Sequence, residues 1–465
     1  MTATAKSPAP TLTAKQESAQ RHQVLTDVTY RNNRASNYTE IIEKLDQDFC
    51  YDDNCRHYWG PPELSLFYGS TLYLQASPSQ RLALNHLYWI TQYNQTAATE
   101  ANAILYNNVT EGVFSVIGGY DTLCQELSLE TEQEHHHIHA FHSVGYKTRK
   151  SLFGTPKLVK PQSKLLGKKV LGKQGLSSKS NDFVLRLPSL DWDRFHEDAC
   201  RQISFRLSSG KGNFAYSSYL QAIEQSKQSI PVQTTGLLGQ VVPSSLSKLI
   251  TVSFGTSPFS ACFFYATRYL ANMLLKNYEQ RYLQYYRKLA QAKEFIPSPT
   301  AISYYHMLDE SFHTTTSQLI AQDLYKEFSN PTMYERLLAN FMFYRGQQVM
   351  LSGLSGVMPA TFRNDAPFIA PLYQILRSSI FNLSHEDSLF WLRQSLCHEH
   401  EGHHMNLKHH HRLLTTMRQA FQPLSYLWNS NRNLDVMASG ADIQKSLAGN
   451  ARALEAFEER LKTID

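Results

Sequence analysis

The sequence predicts an all-α fold, on three observations. Ser77-Pro78 and Ser257-Pro258 each set a capping hydroxyl before a proline fixed for the first helical position, ahead of long stretches without a breaker. Gly118-Gly119 and Pro297-Ser298-Pro299 interrupt those stretches where a helix would fold back on a partner. Polar residues also recur at offsets of three and four, which share one helical face: His306-x-x-x-Glu310-x-x-His313 in one half, Glu134-x-x-His137 in the other.

The elements follow in order. Residues 1–36 are rich in Ala, Thr, Ser, Gln and Lys with no apolar run, and are expected to be a disordered tail without a secretory signal. Residues 37–465 are expected to form a single helical domain. Its core helices cover about 77–146 and 257–328, as two hairpins. The first helix runs from Pro78 toward Phe114, the second from about Asp121 to Tyr146, the third from Pro258 to about Lys293 and the fourth from about Thr300 to Phe328. Between the hairpins, 147–255 is rich in Gly, Ser, Lys and Pro and reads as an irregular basic insertion. Within 143–181 there are ten Lys or Arg and no acidic residue. C-terminal helices are expected over 331–463, one of them opened by the capping-box-like Ser384-His385-Glu386-Asp387 and continuing past Leu414.

Composition narrows the function classes. Of 465 residues 42% are apolar, enough for a sizeable core, and a net charge of +5 is too mild to demand a nucleic-acid partner. No segment approaches the roughly 18 continuous apolar residues of a membrane span, so no integral membrane segment is expected. The six cysteines are scattered without a Cys-x-x-Cys pair, which argues against a zinc ribbon and for reduced thiols in a cytoplasmic protein. Ser/His/Asp triads, P-loops and Gly-x-Gly-x-x-Gly loops are not in evidence.

Nineteen histidines against six cysteines direct attention to metal binding by imidazole and carboxylate. Four Glu-x-x-His pairs occur: Glu132/His135, Glu134/His137, Glu310/His313 and Glu401/His404. Helix phase selects among them. Leu123, Leu127, Ile138 and Phe141 mark the apolar stripe of the second helix, and Glu134 and His137 fall within it, whereas Glu132, His135, His136 and His139 face water. On the first helix Glu100 lies in the stripe of Ile90, Tyr93, Ala97 and Ile104. The midpoint of Glu100 and Glu134 is residue 117, beside the Gly118-Gly119 turn, so an antiparallel hairpin brings the two carboxylates to one height. Glu111 shares that face but lies nearer the turn, as a rival or outer partner. In the second half Glu279 pairs with Glu310 across the Pro turn, a match looser by a few residues, and His306, Glu310 and His313 share a stripe with Ile320 and Leu324. An ionised carboxylate in an apolar stripe needs a partner, and a metal is one.

One Glu from each of two helices plus Glu-x-x-His from each of the other two is the ligand pattern of ferritin-like di-iron four-helix bundles. The expected ligands are Glu100, Glu134, His137, Glu279, Glu310 and His313, with His306 as a seventh. The order lone Glu, Glu-x-x-His, lone Glu, His-x-x-x-Glu-x-x-His resembles that of the p-aminobenzoate N-oxygenases, an AurF-like family of non-haem di-iron oxygenases. The resemblance covers about 77–146 and 257–328; the long insertion and longer C-terminal part depart from it. It implies two Fe ions (Mn as the variant metal), O2 as co-substrate, an external electron donor, and N-oxygenation of a small organic amine. Hydroxylation or desaturation at carbon in the same scaffold, and iron storage without catalysis, are the alternatives. The basic insertion reads as a solvated loop, with docking of an acidic partner (a carrier protein, a phosphorylated substrate or an anionic membrane surface) as the alternative, and a homodimer is one assembly the sequence leaves open. A second dense histidine segment, His398 to His411, reads as a partly exposed polar region, with Glu401/His404 as a rival ligand pair.

Overall fold

The computed structural model describes residues 14–154, 192–208, 214–238, 241–361 and 363–462. Among them every regular element is helical. Helices of eight residues or more are α1 (Ala14–Arg34), α2 (Tyr38–Gln47), α3 (Pro78–Ile117), α4 (Asp121–Phe153), α5 (Trp192–Ser208), α6 (Ser218–Gln225), α7 (Ser244–Phe254), α8 (Pro258–Ala292), α9 (Ser298–Gln322), α10 (Met333–Gly346), α11 (Ile369–Arg377), α12 (His385–Arg393), α13 (Glu401–Phe421) and α14 (Ile443–Lys462).

The two Ser-Pro starts behave as their chemistry dictates. Ser77 accepts from the Gln80 backbone N–H while the Gln80 side chain accepts from the Ser77 N–H, a complete capping box at the head of α3. Ser257 accepts from Ser260 N–H at the head of α8. Gly118, at φ 76°, ends α3 in a conformation that a side chain would strain, and α4 starts three residues later. The α3–α4 and α8–α9 hairpins each pack along their length, and α3 also packs against α8. On the other side α1 and α2 lie over α4 and α9.

Two apolar clusters fill the interior. One gathers Leu105, Leu127, Phe263, Leu270 and Ile320 with Met417 and Phe421 of α13. The other gathers Trp59, Trp89, Tyr93, Phe141, Tyr278 and Ile302 with the C-terminal Leu392 and Leu454. Between them all four long helices carry buried polar residues, so a polar layer divides the core at one level.

Three expectations are corrected. The tail expected over 1–36 is helical from Ala14, and its polar His22, Thr26, Thr29 and Asn33 are buried where α1 packs against α4 and α9. The insertion over 147–255 is not irregular where described: α4 extends to Phe153, and α5, α6 and α7 occupy its second half, with Leu220, Ile250 and Phe254 in the core. Its most basic part, 155–191, lies outside the described residues. The helix expected to run unbroken from 385 past Leu414 is instead α12, a π turn (Gln394–His398), a break at Glu399 and His400, and α13.

Gly402 does not interrupt α13; it sits in its first turn against Gly356, where a Cβ would collide with the Gly356 carbonyl oxygen. Overpacking of this kind costs about 1–3 kcal/mol. Denaturant titration should therefore show Gly402→Ala destabilised by that amount, and more than Ser77→Ala, for which loss of the cap predicts about 1 kcal/mol.

Candidate metal centre

The polar layer is built from α3, α4, α8 and α9. Glu100 comes from α3, Glu134 and His137 from α4, Glu279 from α8, and His306, Glu310 and His313 from α9. All seven are buried, none more than 3% exposed. Their spacing explains the convergence: positions three, four and seven apart on α9 stack on one face, and the short turns set Glu100 against α4 and Glu279 against α9.

Two groups of ligating atoms form, each with its members within 4.8 Å of one another. One comprises Glu100, His137, His306 and Glu310; the other comprises Glu134, Glu310 and His313. Glu310 belongs to both. His306 lies between carboxylates, its Nε2 2.8 Å from Glu100 Oε1 and its Nδ1 2.9 Å from Glu279 Oε1. His313 Nδ1 is 2.8 Å from Glu310 Oε1 and 3.4 Å from Glu134 Oε1. Glu279 joins neither group and meets the cluster through His306. The rings of Phe141 and His306 meet edge to face at 4.9 Å, closing the layer toward the second apolar cluster.

Burial without water sets the electrostatics. Desolvation raises the Glu100 carboxyl to about 7 even though the His306 hydrogen bond and charge pull it down. Burial likewise raises Glu279, again opposed by His306. Glu134 goes the other way: burial would raise it, but the neighbouring His137 and His313 imidazoles and the Arg268 charge hold it well below the usual range. Burial lowers His137, yet Asp309 and Glu134 outweigh it and raise the imidazole to about 9. His306 and His313 are also raised above ordinary values by facing carboxylates, against the effect of burial.

The donor set fits a metal by its leftover atoms. Glu100 Oε2, Glu134 Oε2, Glu279 Oε2 and His137 Nδ1 are all buried without a hydrogen-bond partner. Buried polar atoms of this kind are costly unless something electropositive meets them. Carboxylate and imidazole together are the ligands of iron, manganese and zinc.

Several residues around the cluster went unforeseen. Asp309, fully buried, is 3.2 Å from His137 Nε2 and accepts from Thr39 Oγ1 at 2.8 Å. Gln133 Oε1 is 3.0 Å from His313 Nε2. Such partners fix an imidazole's tautomer and aim its other nitrogen. Arg268 of α8 is buried and donates through Nη2 to Glu134 Oε1 at 2.8 Å and through Nη1 to Glu130 Oε2 at 2.6 Å. The available signal was the same for each: a polar or charged residue in the buried stripe of a long helix.

Rival positions lie apart. Glu132, His135 and His139 are exposed on α4, and Glu111 is half-buried, accepting from Ser128 Oγ. In the C-terminal segment His398, His400, Glu401, His404 and His411 are exposed, while buried His403 and His410 and half-buried His409 pack separately. Among the described residues no group of three ligating atoms forms there.

Comparison with known proteins supplies the family. The family described as acyl halogenase CylC-like matches residues 21–458. No curated protein and no solved structure matches the chain. This match overturns the resemblance to p-aminobenzoate N-oxygenases, and with it N-oxygenation of an amine: the family points to halogenation of an acyl substrate. The ordered Glu and His motifs describe the inner face of four helices, not the residues a substrate meets, so they do not separate one reaction from another. Among the described residues no helix is long and apolar enough to cross a membrane. With the match spanning almost its whole length, the chain belongs to the CylC-like acyl halogenase family and is an enzyme.

Proposed function

We propose that the chain is a metal-dependent oxidative halogenase of an acyl substrate, with two iron ions held in the buried layer of a ferritin-like bundle. The family match over 21–458 carries the reaction class. The orphaned carboxylate and imidazole atoms support the metals. Glu100, His137 and His306 would hold one ion and Glu134 and His313 the other, with Glu310, common to both groups, between them. Glu279, 2.9 Å from His306 Nδ1, would hold that imidazole in place.

Replacing an acyl C–H by carbon–halogen with a halide ion removes two electrons from the substrate, so an oxidant is required. For chloride the balance is R–H + Cl− + O2 + 2e− + 3H+ giving R–Cl + 2H2O. Of the four electrons that O2 accepts, the substrate supplies two and an external donor two. When bound, the iron pair supplies the activation of O2. The protein residues do the rest. Asp309 and Gln133 orient His137 and His313, Arg268 holds Glu134 ionised, and Phe141 with Tyr93 keeps water from one side.

Three outcomes test this reading. Purified protein given Fe(II), O2, a reductant, halide and acyl thioesters should yield a product with the halogen isotope pattern by mass spectrometry; product with oxygen in place of halogen would contradict it. Glu310→Ala, which removes the shared carboxylate, should lower bound iron to well under half of that in the unaltered chain and lower turnover at least a hundredfold. Metal uptake should also release protons. His137, raised to about 9, and His306 and His313, both raised well above the ordinary imidazole value by facing carboxylates, hold protons in the metal-free chain at neutral pH. A metal binds only the deprotonated nitrogen, so apparent affinity rises as pH is raised toward about 9. Titrations in buffers of different ionisation enthalpy measure this, and pH-independent affinity between neutral pH and that value would refute it.

A further inference from the structure

One face of the polar layer is not sealed. A cavity of about 20 Å3 lies in the seam between α3 and α8, reaching Glu100, Glu134 and Glu310. It is on the scale of one or two water-sized groups. A second cavity, of about 60 Å3, lies outside it along the same seam. The two share Thr99 and Tyr106 of α3 and Ala271 of α8 as lining residues, so they adjoin along the seam with only these side chains between them. The outer compartment is walled by Val241, Met342, Gly346, Val349 and Met350. Its Val349 and Met350 belong to a π turn, Gln347–Leu351, that widens the end of α10.

The roof is a strap rather than a helix. Thr234 N–H donates to Asn102 Oδ1 and Thr234 Oγ1 to the Ala98 carbonyl, while Gln233 Nε2 donates to Tyr106 OH. These bonds hold the strap across α3 above the outer compartment. Beneath it Thr267 Oγ1 and Gln95 Oε1 are buried without hydrogen-bond partners. The path is thus narrow and mostly apolar, with two unused polar atoms and carboxylates at its inner end.

The geometry points to this path as the acyl-chain tunnel, with Ala271 and Thr99 setting its bore and Gly346 its width near the outside. The inference rests on the acyl reading above and adds the residues that select the chain. A flexible hydrocarbon fits because it needs little width and few polar partners. Side-chain size at Ala271 then decides which carbons pass toward the cluster. The larger cavity, of about 360 Å3, is a poor rival: it lies at the α3–α4 turn, lined by His22, Asp27, Thr122, Leu123 and Glu327, and none of the cluster residues borders it.

The test is binding rather than turnover, on metal-free full-length protein. A fluorescent saturated fatty acid is titrated, then displaced by unlabelled saturated fatty acids of increasing length. In the unaltered chain, affinity should rise with length until the tunnel is full. Ala271→Phe should weaken long chains at least tenfold and spare short ones. Gly346→Leu is the second variant, since a Cβ there meets nothing within 4 Å; with an unchanged circular-dichroism spectrum it should weaken binding at least fivefold. Binding unchanged in both variants overturns the tunnel while leaving the acyl reading intact. Loss of binding in Thr122→Leu instead moves the chain to the turn cavity and also overturns it. No binding of any length to the unaltered chain overturns the tunnel too, and the halogen-incorporation assay then judges the acyl reading separately.

Discussion

Buried negative charge is the constraint on which the rest of the structure depends. Glu100, Glu126, Glu130, Glu134, Glu279, Asp309 and Glu310 are each 3% exposed or less, in a layer between two apolar clusters. Removing a carboxylate from water costs several kcal/mol unless charge and hydrogen bonds are returned to it. Arg268 is a permanent cation set against Glu130 and Glu134, and three histidines stand opposite Glu100, Glu279, Asp309 and Glu310. Without metal the cluster must retain protons, as the raised Glu100 and His137 indicate. Metal cations held by these carboxylates and imidazoles would answer the same demand without the protons.

That constraint also orders the surrounding architecture. Long helices without breakers are needed to carry ligands from four directions to one height, and short turns are needed to keep register. The capping box at Ser77 and the positive-φ glycine at 118 serve both ends of α3. The helices α1 and α2 then cover the α4–α9 side, where Asn33 and Thr39 complete hydrogen bonds to Glu126 and Asp309. On the α3–α8 side small residues leave the seam open. One side of the layer is closed by polar partners, and the other gives access.

Much of the four-helix centre was legible because helix phase and turn position are local properties. Glu134 and His137 lie in an apolar stripe while His135 and His139 do not, and α4 exposes them accordingly. Equal distances from Gly118-Gly119 set Glu100 near α4. What depends on distant packing was not legible. The α1 helix is polar on most of its surface, so its docking against α4 and α9 left no strong periodic signal. The roles of Arg268 and Asp309 require knowing which carboxylate lies across the bundle. The reaction itself was not legible, since the spacing of Glu and His on helix faces is common ground between chemistries.

The most direct measurement of the central claim is anomalous diffraction at the iron edge from crystals of iron-loaded protein. The account predicts two peaks in the α3–α4–α8–α9 layer, one beside Glu100, His137 and His306 and one beside Glu134 and His313, with Glu310 between them. A single peak there, or iron at the His398–His411 segment with the layer empty, would contradict it.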